Sequence, residues 1–300
     1  MAKSMILISG ATGATGGATA RQLLNKGYPI RALAHREDDR SKLLQDLGAE
    51  VVYGDLLDIH AVTAAFAGVR AAYFVGSPLR PEMVKTSAIF GLVAKEAGVE
   101  IVVSMSMLPA RRDTKSPVLM EHWLSERVLD FAGIPVTHLR AGIFSEWLFY
   151  VSHLIRQGRF VMPWPAEARY APVAAEDLGR LIAEILTKPA GHAGRTYTPV
   201  GPVLYSYREI GDVLGRVLGK NLKYEQLPVD EFAPLLGMGD NDHFKGHCKA
   251  VVTDLQNGIF EVTNGLIGEL TGTHAMNIED FITKHKAAFV SSNVVMPEAV

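Results

Sequence analysis

The chain has 300 residues, 48% of them apolar, with 30 basic side chains against 32 acidic ones and a formal charge of −2. Such a composition buries a large core, in one large α/β domain or two intimate ones, and excludes a disordered chain, while the near-zero charge without long charged blocks gives no electrostatic footprint for nucleic acid or a membrane surface. Cys248 is the only cysteine, so no intramolecular disulfide forms; no run approaches the ~20 apolar residues of a membrane span, no signal-peptide pattern is visible, and the chain reads as cytoplasmic with a small-molecule ligand.

The first apolar run, Met5 to Ile8, is followed after a single Ser by Gly10-Ala-Thr-Gly13-Ala-Thr-Gly16 and then by a small-residue segment to Leu24. A strand, a glycine-rich turn and a helix in that order bind the pyrophosphate of a dinucleotide. Gly10 permits the tight turn, Gly13 lets the backbone approach the ligand, and Gly16 lets the helix pack closely on the strand. Thr12, Ala14 and Thr15 complete the loop, and free N–H groups at the helix start face the anion. The spacing is G-x-x-G-x-x-G, not G-x-G-x-x-G.

A second strand over 30–35 ends at His35-Arg36. A carboxylate in this place would bind the ribose hydroxyls of NAD, whereas a planar guanidinium suits the 2′-phosphate of NADP. Arg36, with His35 beside it and Arg40 or Lys42 able to close over it, points to NADP. Glu37, Asp38 and Asp39 keep open the reading in which these cations are only solvated. After a third strand, 50–53, comes Gly54-Asp55-Leu56, whose carboxylate can accept from the adenine amino group or cap a helix beginning near Asp58.

Further strands are predicted at 71–76, 100–106 and 135–140, alternating with amphipathic segments that end on Gly27, Gly98 and Gly133 as left-handed caps. This rhythm predicts an α/β fold: a Rossmann-type doubly wound parallel sheet with a smaller, interleaved C-terminal substrate domain. After Phe144 the pattern changes to an aromatic cluster of Trp147, Phe149, Tyr150, Phe160 and Trp164, broken by Pro163 and Pro165. A helix from Val173 to Leu186 re-enters the sheet domain, so residues 1–145 and about 168–190 form the NADP-binding part, and about 146–167 with 191–300 form the substrate lobe. Ser206-Tyr-Arg-Glu209 is a capping box for a helix to Leu218, Asn277-Ile-Glu-Asp280 opens a last helix, and the final ten residues read as frayed.

Gly10–Gly16, Arg36, Gly54-Asp55-Leu56, Val75-Gly-Ser-Pro78, His122-Trp-Leu-Ser-Glu126, Gly133 to Phe144 and Ile278-Glu-Asp-Phe-Ile282 occur in order. Together they resemble the NmrA-like branch of the atypical short-chain dehydrogenase/reductases over nearly the whole chain. The resemblance implies an NADPH-dependent reductase of quinones, dyes or phenylpropanoids, or a regulator that binds the dinucleotide without consuming it. In the matched motifs Gly76, Ser77 and Phe144 complete the candidate cofactor residues, and Ser104, on the fifth strand beside Ser106, is added as one able to reach the cleft. A homodimer is compatible with this resemblance, and the regulatory alternative requires a protein partner.

The superfamily's usual acid, a Tyr followed four residues later by Lys, is absent, and Lys115 is the only lysine between Lys95 and Lys188. Ordinary carbonyl reduction therefore fits poorly. A quinone or another conjugated acceptor gives a delocalised anion that takes its proton from water, and a cationic dye needs none; for these the protein mainly holds a flat acceptor against the nicotinamide. Trp147, Tyr150 and Trp164 suit that task, with His243 or Phe244 in a loop over the pocket, although such aromatics also build cores. His122, with Ser106, is the candidate proton donor, or else a structural histidine paired with Glu126. His243, His247 and Cys248 look superficially like metal ligands, but Gly246 is expected to interrupt the helix that spacing needs, so no metal is assigned.

Overall fold

The computed structural model describes residues 4–77 and 81–291; Pro78 and the tail from 292 onward lie outside them. Along the first half, strands β1 (Met5–Ser9), β2 (Ile30–Ala34), β3 (Glu50–Tyr53), β4 (Val69–Phe74), β5 (Ile101–Met107) and β6 (Val136–Ala141) alternate with helices. These are α1 (Ala14–Asn25), α2 (Asp39–Asp46), α3 (Ile59–Ala65), α4 (Met83–Glu96) and α5 (Pro117–Phe131). Gly27, Gly98 and Gly133 close α1, α4 and α5 with φ of 71°, 64° and 67°, the left-handed caps the sequence predicted.

The chain then leaves the sheet through α6 (Trp147–Tyr150), α7 (Ser152–Arg156), β7 (Phe160–Met162) and β8 (Arg169–Tyr170), and returns through α8 (Ala175–Thr187) and β9 (Thr196–Tyr197). The seven-stranded sheet has the order β3-β2-β1-β4-β5-β6-β9, every pairing parallel. The strand order reverses between β1 and β4, which opens a crevice at their C-terminal ends. Ser9 Oγ accepts from Val75 N–H at 3.0 Å and ties those two ends together.

Two apolar layers cover the sheet. Leu23 of α1 and Leu178, Leu181 and Ile185 of α8 pack on one face, while Phe66, Phe90 of α4 and Leu129 of α5 pack on the other. A third core, with Trp164, Tyr207, Phe232 and Phe281 at its centre, is built by the excursion after β6 and by the C-terminal elements. Those elements are β10 (Tyr205–Ser206), α9 (Tyr207–Leu218), β11 (Tyr224–Gln226), α10 (Val229–Leu235), α11 (Asp242–Gln256), α12 (Leu266–Thr271), α13 (Ile278–Lys284) and α14 (Lys286–Val290). The Ser206–Glu209 capping box forms as the sequence predicts, and Asn277 caps α13.

Two expectations are corrected. The sheet side does not end near residue 190, because β9 pairs with β6 and Ile267 of α12 packs in the same core as α8. A two-residue strand is too short to show a period, so hydrophobic pattern alone could not reveal it. Gly246 does not interrupt a helix either: it lies inside the 15-residue α11, which Asn241 caps through its side chain. A Cβ there would meet nothing closer than Pro117 Cδ at 3.6 Å. Gly246→Ala is accordingly expected to raise unfolding free energy by about 0.5–1 kcal/mol, measured by denaturant titration, because only the backbone entropy of the unfolded chain changes. A loss of stability would mean that α11 is not continuous in solution.

Candidate active site

The crevice at the β1/β4 reversal is a cleft of about 340 Å³ lined by Gly10, Thr12, Gly13, Ala14, Thr15, His35, Arg40, Asp55, Leu56, Gly76 and Ser77. Its floor is built for close backbone approach. Gly10 has φ 58°, and a Cβ on it would stand 2.5 Å from Val75 Cγ1. Gly16 lies beneath the loop rather than on the cleft wall, where a Cβ would stand 2.2 Å from Gly10 O. No side chain caps the first turn of α1 and no acidic residue lies in it, so the positive helix end is left to an anion. Thr15 Oγ1 and the buried Tyr73 hydroxyl share a 2.8 Å hydrogen bond that anchors this turn. These features fit a dinucleotide.

At the β2 end the structure rearranges the sequence's assignments. His35 lines the cleft, but Arg36 is exposed and outside its lining. Arg40 lines it instead, with its guanidinium held at 2.6 Å by Asp38, which also caps α2. The carboxylates that seemed to oppose a phosphate thus include one that orients the cation. Asp55 faces the cleft while accepting from Leu57 N–H at 2.9 Å, and the cap of α3 falls to Asp58. Ser104 lines neither this cleft nor its neighbour; it is buried in β5.

A second cavity, of about 160 Å³, shares Ala14, Thr15, Val75 and Gly76 with the first. It runs over the C-terminal ends of β5 and β6, past Met105, Ser106, Met107 and Phe144, into the lobe. Trp147, Tyr150, Trp164 and Phe244 bring aromatic walls, and Leu236, Met238, Val251 and Phe260 close the far side. Trp147 packs edge-on to Trp164 at 5.8 Å and stacks with Phe244 at 6.4 Å between centroids. Trp164 is therefore both core and wall, its indole N–H buried without a partner among the described residues.

The residues chosen as proton donors stand on this wall in states that do not suit the task. Ser106 donates its hydroxyl hydrogen to Glu126 Oε1 at 2.6 Å and presents only lone pairs to a ligand. Burial lowers the His122 pKa to about 4 against the opposing pull of Glu126, so the ring is neutral at pH 7. Nor does His122 pair with Glu126, whose oxygens go to Ser106 and, at 2.8 and 2.6 Å, to the Arg140 fork. His243 is absent from the cavity lining. Its neighbour His247 does line it, neutral through burial with a pKa of about 3 and hydrogen-bonded to Ser116 at 3.0 Å. Cys248 sits in the lobe core, where burial pushes the thiol up to about 12.

The sequence profile of the NmrA-like family matches residues 2–255. The chain belongs to the NmrA-like family. It is 29% identical over 293 residues to an NAD(P)H azoreductase of Xenophilus azovorans, covering 95% of this chain and 99% of that one. It is 30% identical over 287 residues to the (4-alkanoyl-5-oxo-2,5-dihydrofuran-3-yl)methyl phosphate reductase of Streptomyces griseus, covering 95% and 99%. In fold it is similar to an NADPH-dependent quinone oxidoreductase from Escherichia coli crystallised with NADPH, with TM-score 0.81, 23% identity, and 94% and 100% coverage.

One polar residue of this NmrA-like site escaped the sequence reading. Glu146 lines the second cavity between Phe144 and Trp147 and is only 8% exposed. Its Oε1 accepts the Ala175 N–H at the start of α8 at 2.9 Å, while Oε2 is buried without a partner among the described residues. Burial raises the carboxyl to about 7. A carboxylate inside an aromatic run was the available signal, but short helix α6 follows it and a charged side chain there reads equally well as solvent-facing.

Proposed function

We propose that the chain is an NADPH-dependent reductase of flat, electron-poor acceptors such as quinones, azo compounds or dyes. The observation that carries this is the apolar, aromatic-walled cavity that shares Ala14, Thr15, Val75 and Gly76 with the nucleotide cleft. NADPH bound in that cleft supplies a hydride. Gly10, Gly13 and the first turn of α1 would hold the pyrophosphate, Asp55 would serve the adenine, and His35 and Arg40 would take the 2′-phosphate. Trp147, Tyr150, Trp164 and Phe244 stack against the acceptor and exclude water from it, so orientation is the main contribution of the protein. Residues 1–145 and 168–190, extended by β9, carry the nucleotide, and the lobe supplies the wall that selects the acceptor.

The test is NADPH oxidation, followed at the nicotinamide absorbance, with quinones, azo compounds and a cationic triphenylmethane dye. Acceptor-dependent turnover is expected. Tight NADPH binding without turnover by any of them would replace this reading with a dinucleotide-binding regulator.

Cofactor preference gives a sharper check on the nucleotide end. Arg40→Ala is expected to raise the KM for NADPH about tenfold or more while leaving NADH little changed, as loss of one charge-assisted phosphate contact costs about 1.5–3 kcal/mol. Arg36→Ala, outside the cleft, is expected to leave both unchanged. The reverse pattern would return the phosphate to Arg36.

A further inference from the structure

An acceptor that takes a hydride becomes an anion unless it began as a cation, and a quinone or azo compound reaches its neutral product only after gaining a proton. Ser106 has given its hydrogen to Glu126, and His122 and His247 are neutral, so none of the three suits that delivery. Glu146 stands on the same cavity wall, nine-tenths buried, with Oε1 fixed by the Ala175 N–H and Oε2 without a partner. A carboxylate held this way leaves a charged oxygen unsolvated, whereas a carboxylic acid places an O–H donor there, ready for an acceptor atom of a ligand. We propose that Glu146 is the catalytic residue that protonates the reduced acceptor, a role that rests on the reductase reading above.

The charges around it favour the protonated state. Burial is the main influence raising its pKa, opposed by the N–H groups of Ala175 and Glu146 itself; Asp177 and Glu176, from the start of α8, add to the rise. Asp177 is paired with Arg180 at 2.7 Å, so that cation is already engaged. Across the cavity, His122 and His247 supply no positive charge near neutrality. In the step itself the acceptor gains the hydrogen and electron pair of the nicotinamide C4–H bond, so NADPH is oxidised and the acceptor reduced to an anion on oxygen or nitrogen. The Glu146 O–H bond then breaks, its proton joins that atom, and the carboxylate recovers a proton from water. A cationic triphenylmethane dye is neutralised by the hydride alone and bypasses Glu146.

The experiment compares wild type, Glu146→Gln and Glu146→Asp with a quinone or azo acceptor and with the cationic dye, as a function of pH. In wild type, kcat with the quinone is expected to fall as pH rises through about 7, and the dye profile to lack that fall. Glu146→Gln is expected to slow the quinone at least ~10-fold more than the dye and to abolish the fall, with Glu146→Asp restoring part of both. Separately, the raised folded pKa means that wild type loses stability as pH rises from the ordinary carboxyl value to about 7, so the Tm of Glu146→Gln should gain on wild type over that interval. A wild-type quinone profile without the fall, equal slowing of both acceptors, or a pH-independent Tm difference would overturn the proposal, and the first needs no variant to fold. If no acceptor oxidises NADPH in wild type, the reductase reading itself fails and the role of Glu146 with it.

Discussion

Arg140→Met is expected to lower unfolding free energy by about 3 kcal/mol at pH 7, because it leaves a buried carboxylate with the weaker Arg127 contact, at 3.4 Å, in place of the guanidinium fork. Glu126 has a side chain 1% exposed and receives the Arg140 fork at 2.8 and 2.6 Å as well as the Ser106 hydroxyl at 2.6 Å. Burial, the largest single influence, would raise its pKa, but the Arg140 and Ser106 hydrogen bonds together with the charges of Arg140 and His138 hold it below the ordinary value of 4.5. The sign of the pH effect follows. A folded pKa below the unfolded one contributes stability above about pH 4.5, and that contribution is lost as pH falls through the folded value. The gap between wild type and Arg140→Met should therefore narrow in acid, where the variant can fold with Glu126 neutral. Denaturant titrations at several pH values read this directly, and Arg140→Met with Glu126→Gln should recover much of the loss. A variant within about 1 kcal/mol of wild type at pH 7 would show that the pair is dispensable. Because Ser106 lines the cavity, the same change should also disturb acceptor binding.

Gly16→Ala is expected to weaken NADPH binding about 100-fold, roughly 2.7 kcal/mol, while costing about 1–3 kcal/mol of stability through overpacking. Its Cβ would stand 2.2 Å from Gly10 O, 2.7 Å from Gly10 C and 3.0 Å from Ala11 Cα. All three are backbone atoms of the phosphate loop, so no side chain can rotate aside; α1 must move away from the turn, and the amides aimed at the pyrophosphate move with it. Calorimetric titration with NADPH measures the first effect and thermal unfolding the second. Gly246→Ala is the matched control, another glycine-to-alanine change inside a helix, but one whose methyl group meets Pro117 at ordinary van der Waals distance, 3.6 Å. Undiminished NADPH affinity in Gly16→Ala would mean that the loop is not the pyrophosphate site.

Much of the molecule was legible along the chain because its signals are local. The six leading strands, the Gly10–Gly16 turn, the left-handed caps at Gly27, Gly98 and Gly133 and the Ser206–Glu209 capping box each depend on residues a few positions apart, whose backbone preferences act wherever the chain goes. The order of those elements and the glycine spacing determined the doubly wound sheet and the nucleotide cleft at its reversal. What the tertiary structure decided depends on residues far apart in sequence that meet in space. Which cation of the 35–42 segment meets the cleft is one such outcome: Arg40 lines it and Arg36 does not, although the Asp38 cap that holds Arg40 is itself local. Strand β9 exists because β6 offers it an edge. His122 is neutral, Ser106 is committed to Glu126 and Glu146 holds a lone unsolvated oxygen because the lobe and α8 close over them. Burial sets the charge state of such groups, and burial is a property of the assembled core that no spacing of residues along the chain encodes.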